Sequence, residues 1–423
     1  MREMKDSQQK WLGSIPTSWQ CANIGLLYSL RNEKVSDKDS PPLSVTMKGV
    51  VPQLETAAKT DAHDDRKLVK TGDFAINSRS DRRGSCGISE YDGSVSLINT
   101  ILTPREEMNP HYYNWLFHTS QFADEFYRWG HGIVDDLWTT RWQEMKNIVV
   151  AVPPISEQET IATVLDGEIA KVDALIANQQ AQIEKLKQYK QSLITEVVTK
   201  GLDPNAPMKD SKVESIGRIP AHWILKRAKY VATSLVKGNG ITKEEVFDDG
   251  DIQCVRYGEI YSKYDCAFVS TFSKTKKEMM SSPRYISYGD ILFAGTGELV
   301  EEIGKNIVYL GTEPCLAGGD IVVMSHNQNP EYLNYVLYGT CSQTQKSKGK
   351  AKLKVVHISA TEIGNVIVAL PPLDEQKEIA AYINKKCEHI NRLIAIKKKK
   401  IELLGNYKRS VIYEYVTGKK EVV

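Results

Sequence analysis

The chain has 423 residues, more than one ordinary compact core holds, and at about 150 residues per domain it predicts two or three domains. Its 41% hydrophobic and 26% charged residues are typical of a globular protein and exclude wholesale disorder or a collagen-like fibre. Lysine and arginine number 55 against 53 aspartates and glutamates, which excludes a uniformly basic, histone-like binder but allows basic patches.

Two further features predict a cytoplasmic protein. No apolar run approaches the roughly 18–20 residues that cross a bilayer, and the polar start, 1–10, lacks the apolar stretch of a signal peptide. The 7 cysteines are scattered and contain no CxxC pair, which argues against a disulfide framework or a zinc ribbon. We therefore expect reduced, mostly buried thiols.

The sequence contains two copies of one pattern. Residues near the start of the first copy recur 204 positions later, and those near its end recur 218 positions later, so the copies differ in the length of their middles. The pairs near the start are Met4, Lys5, Asp6, Ser7, Gly13, Ile15, Pro16 and Trp19 with Met208, Lys209, Asp210, Ser211, Gly217, Ile219, Pro220 and Trp223. The pairs near the end are Pro153, Pro154, Glu157, Gln158, Ile161 and Ala162 with Pro371, Pro372, Glu375, Gln376, Ile379 and Ala380.

Each copy begins with a globular part, which we call a head. Short apolar runs that follow Gly, Pro or Asn predict strands, such as 72–76 matched by 289–293 and 147–152 matched by 365–370. A helix is predicted over 110–126, so the fold class is α+β, with two mixed α/β heads. The predicted domains are 1–155 (first head), 156–200 (central long helix), 201–216 (linker), 217–372 (second head) and 373–420 (C-terminal long helix).

Each copy ends in a long amphipathic segment whose apolar residues recur every three or four positions, the pattern of a long helix with a narrow seam. A helix over 156–199 would rise about 66 Å. The simplest partner for each seam is the other copy, in an antiparallel pair that holds the heads apart. The alternative, in which each helix packs on its own head, fits the extended spacing less well. The predicted seam residues are Ile161, Leu165, Ile169, Val172, Ile176, Ile183, Leu186, Leu193, Ile379, Ile383, Cys387, Ile390, Ile394, Ile401, Leu404 and Val411.

Signals for catalysis are weak. The segments 109–112 and 329–332 begin with Asn-Pro, as in amino-methyltransferases, but both lack the second proline that the motif needs to hold a flipped base. The glycines between 295 and 304 have the wrong spacing for a phosphate loop, and Asn306 stands where that loop needs Ser or Thr. We predict a chain without catalytic residues and without a metal site.

Basic residues among small hydroxyl residues in the first head predict contact with DNA phosphates and guanines. In the second head, lysines at alternate positions would line one side of an extended strand and could follow a phosphate backbone. In each case the alternative is a solvated loop. The predicted DNA-binding residues of the first head are Ser78, Arg79, Ser80, Arg82, Arg83, Arg128 and His131. Those of the second head are Arg256, Tyr257, Lys346, Lys348, Lys350, Lys352 and Lys354. Because these stretches differ between the copies, we expect the two heads to recognise different targets.

With these motifs, nearly the whole chain resembles the specificity subunit (S, or HsdS) of type I restriction-modification systems. The resemblance rests on the paired Ile-Pro-x-x-Trp and Pro-Pro-x-x-Glu-Gln-x-x-Ile-Ala motifs quoted above. It also rests on Tyr189-Lys190-x-Ser192 with 196–199, and on Tyr407-Lys408-x-Ser410 with 414–418. One departure is that Gly201 follows a lysine whereas Gly418 precedes one.

The resemblance implies two target-recognition domains that each read one part of a bipartite, asymmetric DNA sequence. It implies that the paired helices act as a spacer, and that two methyltransferase subunits and the restriction subunits assemble on the chain. S-adenosylmethionine, ATP and Mg²⁺ would then belong to those partners, with no cofactor in this chain. Two other functions are weighed against this one: a coiled-coil scaffold with protein-binding heads, and a stand-alone DNA methyltransferase.

Overall fold

In the computed structural model, the described residues are 2–53, 64–105, 108–133, 138–279, 283–297, 299–350 and 356–422. The chain divides into two compact units, the first formed by Met1–Gln180 with Lys398–Val423 and the second by Ala181–Lys397. The predicted first head lies in the first unit and the predicted second head in the second. Each long helix contributes one part to each unit. Among the described residues, no helix combines the length and apolarity that crossing a bilayer requires.

Among the described residues, the first head combines short strands with four short helices. Its strands are Met4–Asp6 (β1), Ser14–Pro16 (β2), Gln20–Asn23 (β3), Tyr28–Arg31 (β4), Lys34–Val35 (β5), Leu43–Thr46 (β6), Gly49–Pro52 (β7), Arg66–Val69 (β8), Phe74–Asn77 (β9), Cys86–Ile88 (β10), Gly93–Ser96 (β11), Asn99–Pro104 (β12) and Val149–Val152 (β13). Its helices are Ile24–Leu27 (α1), Pro110–Phe117 (α2), Ser120–Arg128 (α3) and Trp142–Met145 (α4), and the first long helix, Ile155–Lys200 (α5), follows.

The second head has a similar order of elements. Its strands are Met208–Asp210 (β14), Arg218–Pro220 (β15), Ile224–Arg227 (β16), Ala232–Lys237 (β17), Ile252–Val255 (β18), Ala267–Phe268 (β19), Ser273–Thr275 (β20), Tyr285–Ile286 (β21), Ile291–Ala294 (β22), Thr296–Gly297 (β23), Asn306–Tyr309 (β24), Cys315–Ala317 (β25), Ile321–His326 (β26), Val356–His357 (β27) and Ile367–Leu370 (β28). Its helices are Tyr257–Ser262 (α6), Pro330–Tyr338 (α7), Thr340–Ser347 (α8) and Ala360–Gly364 (α9), and the second long helix, Leu373–Val416 (α10), follows.

One antiparallel sheet is common to both heads. Its strand order is β10-β9-β12-β4 in the first head and β24-β22-β26-β17 in the second, where β19 extends it. The strands β9 and β22 follow a tight turn in which Gly72 and Gly289 have φ angles of 88° and 91°. The aspartate after each glycine accepts a backbone N–H, from Lys70 to Asp73 at 2.9 Å and from Ser287 to Asp290 at 2.8 Å. The prediction of mixed α/β heads is confirmed.

The repeated residues near the start of each copy form matching hairpins. Strand β1 pairs with β2 so that Met4 lies opposite Pro16, and β14 pairs with β15 so that Met208 lies opposite Pro220. The turn of each hairpin contains one residue besides glycine with a positive φ angle, Gln8 or Lys212. The repeated sequence therefore encodes a repeated backbone conformation.

The predicted helix over 110–126 is wrong in its continuity. Helix α2 ends at Phe117 and α3 begins at Ser120. Thr119 has an extended backbone, and its side-chain oxygen accepts the N–H of Phe122 at 3.2 Å, which caps the new helix. The second head has the same break, between α7 and α8.

Parts of both long helices pack antiparallel in each unit. In the first unit, Lys408 of α10 donates to both carboxylate oxygens of Asp173 of α5, at 2.7 and 2.8 Å. In the second unit, Lys190 of α5 donates to the amide oxygen of Asn391 of α10 at 3.1 Å. The alternative in which each helix packs only on its own head is therefore wrong.

Most of the predicted seam is buried in the two main cores. The seam residues in the core of the first unit are Ile161, Leu165, Ile169 and Val411. Those in or against the core of the second unit are Leu186, Leu193, Ile379, Ile383, Cys387, Ile390 and Ile394. Val172 and Ile183 are also buried, while Ile176, Ile401 and Leu404 are half-buried.

A buried tryptophan joins two helix ends in the first unit. The indole N–H of Trp19 donates to Glu157, in the first turn of α5, at 2.9 Å. Just beyond the end of α10, Gly418 has a φ angle of 68° and packs against Pro16 and Trp19. The first head therefore holds the start of one long helix and the end of the other.

The second unit repeats this junction with the helices exchanged. The indole N–H of Trp223 donates to Glu375, in the first turn of α10, at 2.9 Å. Gly201, just beyond the end of α5, has a φ angle of 75° and packs on Trp223. The two glycines thus have equivalent roles although their neighbouring lysines differ in order.

We expect Gly418→Ala to lower the free energy of unfolding by about 2–4 kcal/mol, because alanine disfavours the left-handed conformation and its Cβ would overpack the junction. That Cβ would lie 2.5 Å from Cδ of Pro16 and 3.0 Å from Cη2 of Trp19. Gly201→Ala should cost about 1–2 kcal/mol, because its Cβ would lie 3.3 Å from the nearest atom, in Trp223. Gly167→Ala, in open space within α5, is the control and should stabilise by up to about 1 kcal/mol. Denaturant unfolding of the full chain measures all three, and equal stability of the variants at 418 and 167 would contradict the junction.

Candidate nucleic-acid interface

The arginine-rich segment of the first head forms a tight turn, Ser80–Arg82, directly after strand β9. The side chain of Asn77 accepts the N–H of Arg79 at 3.0 Å, and Arg79 forms an isolated β-bridge with Thr139. Because these backbone contacts fix the turn, the exposed side chains of Arg79, Arg82 and Arg83 project from a defined surface.

Arg83 is held by an aromatic stack. Its guanidinium lies 4.6 Å from the ring centre of Tyr127 and forms an ion pair with Asp124. Tyr127 in turn stacks on Trp138 with ring centres 5.6 Å apart. Cation–π contact and ion pairing restrict the arginine while leaving about half of its side chain exposed. A cationic, partly rigid group of this kind suits recognition of a phosphate or of a guanine edge.

Ser78 lies below this surface instead of on it. Its hydroxyl is buried and hydrogen-bonded to that of Thr100 at 3.0 Å. It therefore supports the turn, and its buried hydroxyl is not available for the DNA contact that the sequence predicted. The side chain of Ser80 lies outside the described part of the chain. Beside Ser78, a groove of about 280 Å³ is lined by the basic residues Lys67 and Arg141 and by Trp142.

Arg128 and His131 lie at and beyond the end of helix α3. Arg128 forms a bidentate ion pair with Glu125, which also accepts the indole N–H of Trp129 at 2.8 Å. Although burial alone would raise the pKa of Glu125, the hydrogen bonds from Arg128 and Trp129 lower it below its ordinary value. His131 is exposed and lies 3.7 Å from Glu144. Part of the charge of Arg128 is therefore already neutralised within the head.

The prediction of a five-lysine strand in the second head is wrong. Lys346 belongs to helix α8 and is only 3% exposed. Lys350 is half-buried, and its ammonium binds Glu362 at 2.7 Å and the carbonyl of His357. Lys348 is exposed at the end of the helix. Lys352 and Lys354 lie outside the described residues.

Lys346 is a core residue for a clear physical reason. It is the seventh residue of α8, and the seventh residue of the equivalent helix α3 is the buried Phe126. Its ammonium donates to three oxygens, the carbonyls of Gly304 at 2.7 Å and Leu337 at 3.0 Å and the side chain of Asn306 at 3.2 Å. Burial lowers the pKa of Lys346 to about 7. This lysine therefore supports the head and is not available to DNA.

The second head has its basic surface elsewhere, in a cleft of about 620 Å³. Arg256 and Tyr257, which the sequence singled out, line this cleft, where strand β18 ends and helix α6 begins. Lys263, at the end of α6, also lines it, and segments distant in sequence contribute Lys237, Gly240, Lys243, Gly318 and Gly319. These residues were not predicted from the sequence. The available signals were glycines at 238 and 240 beside Lys237 and Lys243, and a glycine pair at 318–319, and their sequence positions do not show that they meet in space.

The two heads place opposite charge at one position of the shared sheet. The turn after β9 in the first head carries Arg79, Arg82 and Arg83, whereas the corresponding turn after β22 and β23 in the second head is Val300–Glu302. The basic cleft of the second head lies instead beside β18. The two heads therefore share a similar sheet but present different surfaces, as the sequence led us to expect.

The chain is similar in sequence to proteins of type I restriction systems. The model of the type I restriction modification DNA specificity domain matches residues 220–404. The type I restriction enzyme MjaVIII specificity subunit of Methanocaldococcus jannaschii is 23% identical over 424 positions, which cover 96% of this chain and 94% of that protein. A putative type I restriction enzyme MjaX specificity subunit of the same organism is 30% identical over 212 residues, 49% of this chain and 48% of that protein.

A solved structure supports the same relationship at the level of the fold. It comes from work on complex assembly and conformational transition of the type I R-M system, has a TM-score of 0.69 at 14% identity, and is matched over 96% of this chain and 99% of its own. Residues 220–404 thus match the DNA specificity domain of type I restriction-modification systems, and nearly the whole chain is similar to a specificity subunit of such a system. The predicted role, DNA recognition rather than catalysis, is confirmed by these similarities.

We expect Lys346→Met to lower the free energy of unfolding by about 2–4 kcal/mol, because it keeps the apolar stem but leaves three buried oxygens without their donor. Lys348→Ala, on the exposed neighbour, is the matched control and should change stability by less than about 0.5 kcal/mol. Denaturant unfolding measures both. Equal stability of the two variants would contradict the assignment of Lys346 as a residue that stabilises the core.

Proposed function

We propose that this specificity subunit reads a bipartite, asymmetric DNA sequence, with one half-site for each head. The observation that carries the proposal is the common sheet with unlike basic surfaces, an arginine turn with an aromatic stack in the first head and a glycine-lined cleft in the second. Arginine on a fixed backbone suits base-edge contacts, and flexible lysines suit phosphates. Two unlike surfaces would select two unlike half-sites.

We further propose that two methyltransferase subunits dock on equivalent patches, one in each unit. Two pairs of large apolar residues are repeated between the long helices and are exposed in both copies. Ile155 and Leu373 are 46% and 50% exposed, and Tyr189 and Tyr407 are 56% and 47% exposed. Each unit carries one member of each pair, Ile155 with Tyr407 in the first and Leu373 with Tyr189 in the second. Repetition of exposed apolar side chains fits one kind of partner bound twice.

In this proposal the other subunits supply the chemistry. S-adenosylmethionine would be bound by the methyltransferase subunits, and ATP and Mg²⁺ by the restriction subunits that join them. Among the described residues, no group of three or more His, Cys, Asp or Glu side chains is arranged to hold a metal ion. The long helices would set the spacing between the half-sites.

We expect the double replacement Arg82→Ala with Arg83→Ala to weaken recognition at the first half-site only, because both arginines project from the first head. The test is binding of the assembled complex, with its methyltransferase subunits, to DNA carrying single-base changes in either half-site. Discrimination at the first half-site should fall about tenfold or more. The second half-site is the internal control, and equal losses at both would contradict separate reading.

We expect insertion of one heptad at the middle of both long helices, after Ala181 and after Lys399, to lengthen the accepted gap by about three base pairs. A heptad adds about 10 Å of helix, and base pairs are stacked about 3.4 Å apart. The bases required in each half-site should not change. Binding across a series of gap lengths measures the effect, and retained binding at the original gap would contradict the spacer.

A further inference from the structure

The cleft of the second head contains an arginine whose guanidinium is only partly satisfied by the protein. Nε of Arg256 is buried and has no hydrogen-bond partner among the described residues. A buried N–H donor without an acceptor costs free energy, and a ligand that supplies an acceptor on binding would recover it. The cleft beside it, about 620 Å³ in volume, is large enough to admit one.

Glu259 fixes the direction of this arginine. Its carboxylate accepts the backbone N–H of Arg256 at 2.9 Å and lies 3.7 Å from Nη2 of the same residue. The carboxylate itself is buried and accepts the hydroxyl of Ser273 from strand β20. An ion pair with Glu259 therefore restrains the Nη2 side of the guanidinium, and the buried Nε has no acceptor among the described residues.

Three glycines, Gly240, Gly318 and Gly319, form part of the walls of the cleft. A Cβ on Gly240 would meet no atom within 4 Å, so the wall is open at this residue, whereas a Cβ on Gly319 would lie 2.9 Å from Cα of Gly240. The basic side chains there, Lys237, Lys243, Lys263 and Arg256, outnumber the carboxylates, Glu259 and Asp320. Lys237 pairs with Asp320 at 3.2 Å, and Glu259 is occupied with Arg256 and Ser273. An electron-rich, anionic ligand fits this balance.

We propose that Arg256 reads a guanine of the second half-site from this cleft, that Glu259 is its positioning residue, and that the three lysines hold the adjacent phosphates. The inference rests on the proposed function, because it names the residue that reads a base in one head. A planar guanidinium restrained by Glu259 can present two neighbouring N–H donors in a fixed geometry, which matches the O6 and N7 acceptors of guanine. The lysines, with flexible stems and point charges, suit the less directional phosphate oxygens.

The test compares Arg256→Ala and Arg256→Lys in the complete complex with the methyltransferase subunits. DNA with each base of the second half-site replaced in turn is scored for binding and for methylation. Both variants should lose discrimination at one guanine by about ten- to a hundredfold, because lysine keeps the charge but not the fixed pair of donors. If Arg256→Lys keeps full discrimination at every position, Arg256 contacts a phosphate and the inference is wrong.

Three further variants separate base reading from general attraction and from folding. Glu259→Gln should weaken discrimination at the same guanine while leaving the first half-site unchanged, a pattern that simple loss of stability would not produce. Alanine at Lys237, Lys243 and Lys263 should lower affinity for all sequences and reduce the salt slope by about one per lysine. Arg227→Ala, which removes an exposed arginine of β16 outside the cleft, is the control and should change neither.

The outcome also distinguishes this inference from the function on which it rests. A wild-type complex that shows no bipartite preference contradicts the proposed function. A wild-type complex with two half-sites, of which the second is read equally well after both changes at Arg256, contradicts only the inference.

Discussion

The structure depends on one interaction that occurs twice, the hydrogen bond from a buried tryptophan to the carboxylate that begins a long helix. Trp19 binds Glu157 and Trp223 binds Glu375, each at 2.9 Å. A hydrogen bond to a charged group contributes about 1.5–3 kcal/mol, and here its acceptor also lies in a first helical turn, where negative charge is favoured. Because the same tryptophan packs against the glycine that ends the other long helix, each head requires both helices to be complete.

A second pair of contacts explains why polar residues interrupt the apolar seam. Lys190 and Lys408 occupy equivalent positions, and each reaches the partner helix at the equivalent residue, Asn391 or Asp173. Asp173 supplies a carboxylate directly, whereas Asn391 does not. Lys190 instead takes its carboxylate from Asp265 of the second head. Although burial opposes it, the nearby Cys266 and the Asp265 carboxylate, which accepts a hydrogen bond from Lys190, raise the pKa of Lys190 above its ordinary value. The buried contact of Lys190 favours one register of the paired helices, and the Lys408 contact, at the surface, adds less.

Repetition made much of the fold predictable from the sequence. Trp19 and Glu157 recur in the same order as Trp223 and Glu375, which indicated that the two copies have one fold. The three- and four-residue spacing of apolar residues predicted the long helices. The break at Thr119 was missed, because an apolar pattern continues across it and only the cap interrupts the backbone. Lys346 was misplaced because its charge suggests exposure, whereas its position in α8 is that of a core residue.

The candidate interface was less predictable because it is assembled from distant segments. Arg256 and Tyr257 could be found locally, as basic and aromatic residues beside a turn. Their neighbours in the cleft meet them only because strands remote in sequence pair: β25 lies beside β18, which brings in Gly318, and β17 lies beside β26, which brings in Lys237. Chemistry that depends on the pairing of strands remote in sequence cannot be derived from composition or local spacing. The sequence does show that the two heads share the repeated residues near the start and end of each copy and differ in the segments between them.

That difference is the central claim, and the sequence motif modified by the intact system tests it most directly. Methylated bases are mapped across the genome of cells that carry this chain with its methyltransferase subunits. We expect one motif with two unlike specific parts separated by a gap of constant length. A palindromic motif, a continuous one, or a motif with a variable gap would contradict the view that two different heads are held at a set spacing.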